Sequence, residues 1–169
     1  VVYYGLKNNG CKTIAKQLTK QKKFFPLGIS IAKTNCKETV DENVAIQDYY
    51  DSFVTLESFA DYMTINISCP NAFGGQPFSS PELLDQLLTK LDTIDSKKPR
   101  YIKLSPDLSF AEIDELLEVV SSHNIQGFIV GNLLKNRENS GIPSKEFAAV
   151  GTGGLSGKVL QEVSTNLIS

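Results

Sequence analysis

SSPELLDQLLTKLDTIDSKKPRYIKLS, residues 79–105, joins two kinds of local order in one short span. Leucines at 83, 84, 87, 88 and 91 recur at helical spacing. Pro81 suits a first helical turn, where its missing N–H would be unpaired anyway, and Ser80 before it is able to cap the free amides. The helix is expected to end before DSKKP, after which YIKLS reads as a strand. A helix that delivers the chain directly into a strand is half of a repeating unit, and the same alternation extends in both directions.

Upstream, LGISI (27–31) is a strand by its apolar and β-branched content, preceded by a helical pattern carrying Ile14 and Leu18. Val44, Tyr49, Phe53, Leu56 and Phe59 then recur at near-helical spacing, implying a helix packed by one face, and MTINIS (63–68) follows as the second strand. Downstream of YIKLS, Ser109 and Glu112 have capping-box spacing ahead of Ile113, Leu116, Leu117 and Val120. GFIVGN (127–132) is the fourth strand; a Gly/Ser-rich loop runs through GTGGLSGK, and a last helix starts near Gly157. Four strands separated by helices make a parallel sheet with right-handed crossovers. An open doubly wound sheet and part of an eight-stranded β/α barrel both satisfy this pattern, and both gather functional groups at the carboxyl ends of the strands.

The 169 residues, 41% hydrophobic and 21% charged, fit one globular domain. A net charge of -2 without a basic stripe interleaved with aromatics argues against a nucleic-acid surface. No apolar run approaches the roughly 18 residues of a membrane span and no segment resembles a signal peptide, so a cytosolic setting is expected. Cys11, Cys36 and Cys69 are too unevenly spaced for a disulfide framework or a paired zinc motif, and reduced thiols are the default. The absent initiator methionine, and a chain that stops inside the helical pattern STNLIS, lead us to expect a fragment.

Strands covered on both faces should be nearly unbroken apolar runs, so their polar residues need explaining. Ser30, Asn66 and Lys103 interrupt three strands and Asn132 closes the fourth, which lets their heads converge on one small molecule. Taken singly, Ser30 and Asn132 also read as strand-end hydrogen-bonders, and Cys69 as a small buried hydrophobe. Lys103 is the stronger signal, because a strand-embedded ammonium must be paired or must reach a ligand. As a set, Asn66, Asn71 and Asn132 offer donors and acceptors to a planar polar ring, the lysine balances an anion, and the thiol takes a proton. His123 falls near a predicted helix end, away from the strand termini, and reads as structural. No His/Asp/Glu set has metal-ligand spacing, and GTGGLSG lacks the lysine of a P-loop.

In this order and at these separations, NISCPN, IKLSPDLS, GFIVGN and TGGLSGKVL resemble the dihydroorotate dehydrogenases over nearly the whole chain. GLKNNG and LGISIAKTN are similar to the membrane-associated, quinone-using branch. The resemblance implies a β/α barrel that carries FMN and oxidises dihydroorotate to orotate in pyrimidine synthesis. Residues 1–169 would be the central part of a single FMN-binding domain, about four βα units, truncated at both ends. Its two unpaired sheet edges would invite pairing with another chain, a homo-oligomer included. The resemblance further implies flavin contacts from Ser30, Asn66, Lys103, Gly131 and Gly157, and substrate contacts from Asn66, Asn71 and Asn132. Cys69 would take the C5 proton while the C6 hydride passes to flavin N5. Serine usually stands at the Cys69 position in the quinone branch, whereas cysteine marks the soluble branches. Quinone, fumarate and NAD through a partner subunit are therefore all open as electron acceptors. Any membrane-docking segment of that branch would lie outside these residues. A related flavin barrel acting on another pyrimidine, and a non-catalytic half-barrel module, are the alternative readings.

Overall fold

In the computed structural model, residues 1–2, 5–69, 74–136, 142–143, 145–146, 151 and 153–168 are described. Helix α1 (Cys11–Leu18) leads to β1 (Gly28–Ile31), α2 (Glu42–Leu56) to β2 (Tyr62–Asn66), α3 (Pro81–Asp92) to β3 (Arg100–Leu104), and α4 (Phe110–Val120) to β4 (Gly127–Val130). After a glycine-rich stretch, a short 3-10 turn (Lys158–Leu160) continues into α5 (Gln161–Asn166). The four strands form one parallel sheet in chain order, so each strand neighbours the next across a helical crossover.

The pleat divides this sheet into two chemically different faces. Ile31, Met63, Ile65, Ile102 and Leu104 are buried against α2, α3 and α4, in a core with Tyr49, Phe53, Leu84, Leu88 and Leu116. Side chains alternate along a strand and register partners share a face. Ser30, Thr64, Asn66, Tyr101 and Lys103 therefore belong to the other face, which carries the polar residues of the strands apart from Arg100, the register partner of Met63. Low on that face the rings of Tyr62 and Tyr101 meet edge to face, centroids 5.6 Å apart. A Cβ on Gly28 would stand 2.0 Å from the Tyr62 ring, so glycine is what lets the ring lie over β1.

The capping box of α4 forms as its spacing predicts: Ser109 Oγ accepts from the Glu112 amide while Glu112 accepts from the Ser109 amide at 2.8 Å. The expected cap of α3 does not form. Ser80 Oγ donates instead to the Glu82 carboxylate at 2.7 Å, the nearer charged acceptor, although Pro81 does open the helix. The buried face of α2 is set by Ala45, Ile46, Tyr49, Phe53 and Leu56, whereas Val44 is exposed. Strands two and four are shorter than their apolar runs: β2 stops at Asn66 and β4 at Val130, which puts Ser68 and Asn132 in the loops above the sheet.

Candidate active site at the carboxyl ends of the strands

Asn66 ends β2 because its own side chain competes for the backbone that follows. Its Oδ1 accepts from the Ser68 amide at 3.1 Å and from Ser68 Oγ at 2.8 Å, an Asx-type turn that lifts the chain off the ladder. Its backbone carbonyl accepts from the Tyr49 hydroxyl at 2.9 Å. Asn132, two residues past β4, donates Nδ2 to the Ser68 carbonyl at 2.6 Å and lies 2.9 Å from Ser68 Oγ. The loops after β2 and β4 are thereby tied together over the end of β3, with Ser68 fully buried between them.

Cys69 is half-buried and borders a cavity of about 10 Å³, room for about one water, with Lys33, Tyr49, Asn66 and Gln76. Burial raises the Tyr49 hydroxyl pKa, a hydrogen bond with the Lys33 backbone opposes this, and the nearby Asp48 carboxylate adds to the rise. The hydroxyl is therefore a firm donor to the Asn66 carbonyl. Lys33 is only 5% exposed, and its ammonium donates to the Thr39 carbonyl at 3.2 Å. A second cavity, about 540 Å³, runs along β1 and is lined by Ser30, Ile31, Lys33, Asn35 and Asn66 among others.

Lys103 is the register partner of Asn66 and shares its face of the sheet. It is half-buried, and its ammonium makes no hydrogen bond or ion pair among the described residues. Gly131 leaves β4 with φ of 115°, and Gly157 precedes the 3-10 turn with φ of 87°. Nothing lies within 4 Å of where a Gly157 Cβ would stand, so the backbone there is open to close approach. Leu134 and Leu155 exchange backbone hydrogen bonds of 3.0 and 2.8 Å, which sets the glycine-rich segment beside the loop after β4. From the loop after β3, the Asp107 carboxylate accepts from the amides of Lys135 at 2.9 Å and Asn136 at 2.8 Å.

Of the residues singled out by sequence, Asn66 and Asn132 are joined through Ser68, Cys69 and Ser30 border cavities that Asn66 also lines, and Lys103 is beside Asn66. Asn71 lies outside the described residues. His123 sits at the other pole, between Asp92 at 2.7 Å and Asp85 at 3.1 Å. Polar interruption of the strands does not mark Ser68, Lys33 or Tyr49. Ser68 lies inside NISCPN and Lys33 just past LGISI, so nearness to a strand end is the signal for both; Tyr49 reads in the sequence only as a helix-face aromatic.

The sequence matches the dihydroorotate dehydrogenase family over residues 2–169. Two similar proteins are named dihydroorotate dehydrogenase (quinone): one from Haloarcula marismortui, 31% identical, covering 97% of this chain and 45% of its own, and one from Haemophilus ducreyi, 36% identical, covering 98% and 50%. The chain spans about half the length of the curated relatives it matches. The crystal structure of ligand-free DHODH from Eimeria tenella shares the fold, with a TM-score of 0.71 at 22% identity, over 92% of this chain and 47% of that one. The four-stranded sheet is accordingly an arc of a β/α barrel, its helix-free face turned to the inside.

Proposed function

The chain belongs to the dihydroorotate dehydrogenase family, and on that premise we propose that the protein carrying it oxidises dihydroorotate to orotate in pyrimidine biosynthesis, with FMN as its cofactor. The observation that carries this reading is the Asn66–Ser68–Asn132 network, which holds two amide side chains at one pole of the sheet beside the Cys69 thiol. The described residues suit a flavin. Lys103 has an uncommitted ammonium on the inner face, Asn66 Nδ2 makes no hydrogen bond among the described residues, and Gly157 leaves its backbone uncovered. Ser30, Asn66, Lys103, Gly131 and Gly157 would hold the group, which when bound supplies a two-electron hydride acceptor.

Asn66, Asn71 and Asn132 bind the pyrimidine ring and fix its orientation, the largest saving available to a reaction between two bound partners. Cys69 Sγ takes the proton from C5 as the hydride departs from C6. Lys103 would set a fixed positive charge beside the bound group, which favours its negatively charged form. The names of the relatives support a quinone as final electron acceptor, while Cys69 matches the base of the soluble branches.

Expressed as encoded in full, the protein should show a flavin spectrum that dihydroorotate bleaches; a colourless protein, or a spectrum dihydroorotate leaves unmoved, would sink the reading. Reoxidation by a soluble quinone, fumarate and NAD, compared side by side, identifies the acceptor. Cys69→Ser should slow flavin reduction on the order of a hundredfold near neutral pH with flavin content intact, since a general base contributes about 10² or more. Unchanged reduction kinetics would remove Cys69 from the role. Lys103→Ala should lower flavin retention or the reduction rate, and normal values of both would return Lys103 to a structural part.

A further inference from the structure

Ser68 is bonded to both asparagines, and its backbone settles which way round each amide lies. The Ser68 N–H can only donate, so the Asn66 atom facing it is the carbonyl oxygen, 3.1 Å away. The Ser68 carbonyl can only accept, so the Asn132 atom facing it is the amide nitrogen, 2.6 Å away. The hydroxyl between them completes the relay, donating to Asn66 Oδ1 at 2.8 Å and accepting from Asn132 Nδ2 at 2.9 Å. What remains uncommitted is opposite in kind on the two residues: the amide nitrogen of Asn66 and the amide oxygen of Asn132.

We propose that Ser68 is a positioning residue whose hydroxyl, bonded to both amides, holds the pair in this polarity, so that Asn66 presents a donor and Asn132 an acceptor to one ligand. The complementary ligand is a ring bearing a carbonyl and an N–H, as in a cyclic imide or ureide. A ring with two acceptors on that edge meets the Asn132 oxygen with an oxygen, and is refused. The burial of Ser68 keeps water from replacing either bond, and the Tyr49 hydroxyl fixes the Asn66 backbone from which the amide projects. A flip of either amide would set like against like at a buried backbone group, which is costly. The inference rests on the dihydroorotate reading above and adds to it the residue that imposes ring polarity.

The test uses the flavin-loaded protein as encoded in full, with Ser68→Ala and Ser68→Cys compared with wild type. Both variants keep the backbone groups; alanine deletes the hydroxyl, and cysteine restores volume with a weak hydrogen-bonding group. KM for dihydroorotate should rise about tenfold in both, the worth of a hydrogen bond at the upper end of its usual range. The rate of flavin reduction at saturation should stay within about threefold, with flavin content unchanged. Orotate should bind wild type far more tightly than its ring N-methylated analogues, and this ratio should shrink in Ser68→Ala as Asn132 gains freedom. An active wild type together with an unchanged KM and an unchanged ratio in Ser68→Ala overturns the role of Ser68 alone. Full recovery by Ser68→Cys does so as well, because it would assign the effect to packing. A wild type whose flavin is untouched by dihydroorotate overturns the functional reading, and this one with it.

Discussion

Tyr49 lets one hydroxyl on α2 hold the end of β2 in place, and it can do so only while protonated. Burial raises its pKa in the folded chain, above the value of about 10 expected when unfolded. The stability it contributes is therefore complete below about pH 10 and is lost as pH rises beyond that, because the unfolded chain gives up the proton first. Alkaline unfolding followed by circular dichroism should accordingly coincide with the part of the tyrosinate absorbance that Tyr49→Phe lacks. Tyr49→Phe should remove that part of the pH dependence and cost about 1 to 2 kcal/mol near neutrality, by leaving the buried Asn66 carbonyl without its donor. That Asn66 and Lys103 stand on one face of the sheet is legible from polar residues inside apolar strands. The bond from Asn132 to Ser68 is not, because it spans 64 positions and no local period encodes it.

Among the elements, α4 shows how a local signal becomes stability. Its reciprocal Ser109–Glu112 cap was written in the sequence and is present. Bonds from the Ser109 hydroxyl, then from the Ser109 amide, hold the Glu112 carboxyl below its ordinary pKa. The contribution of this cap is therefore present above about pH 4.5 and fades as pH falls through the depressed folded value. Ser109→Ala should cost about 1 kcal/mol at pH 7 by chemical denaturation, with a smaller difference from wild type at pH 3. The neighbouring case of Ser80 shows the limit of such signals: the same residue type stands before a helix, but a glutamate two residues on captures its hydroxyl. Likewise the apolar runs located β2 and β4 but overstated their lengths, since Asn66 takes the Ser68 amide for its own side chain.

On the scale of the molecule, the parallel arc has one pole bordered by cavities and another closed by an ion-pair chain. Alternation of strands and helices made the sheet legible, but period alone left an open sheet and a barrel equally eligible; only the inner face, polar and free of helices, together with a shared fold, separates them. At the far pole Arg100, 1% exposed, spans the Leu91 and Ile94 carbonyls and Asp92, while Asp92 also meets His123. Asp92→Ala should cost on the order of 3 kcal/mol in denaturant unfolding, since it strips a buried guanidinium of its counter-charge. Flavin content and KM should not follow that loss. The Arg100–Asp92–His123 chain thus separates two duties within one sheet: a change at this pole registers in the free energy of unfolding and leaves the carboxyl ends of the strands as they were.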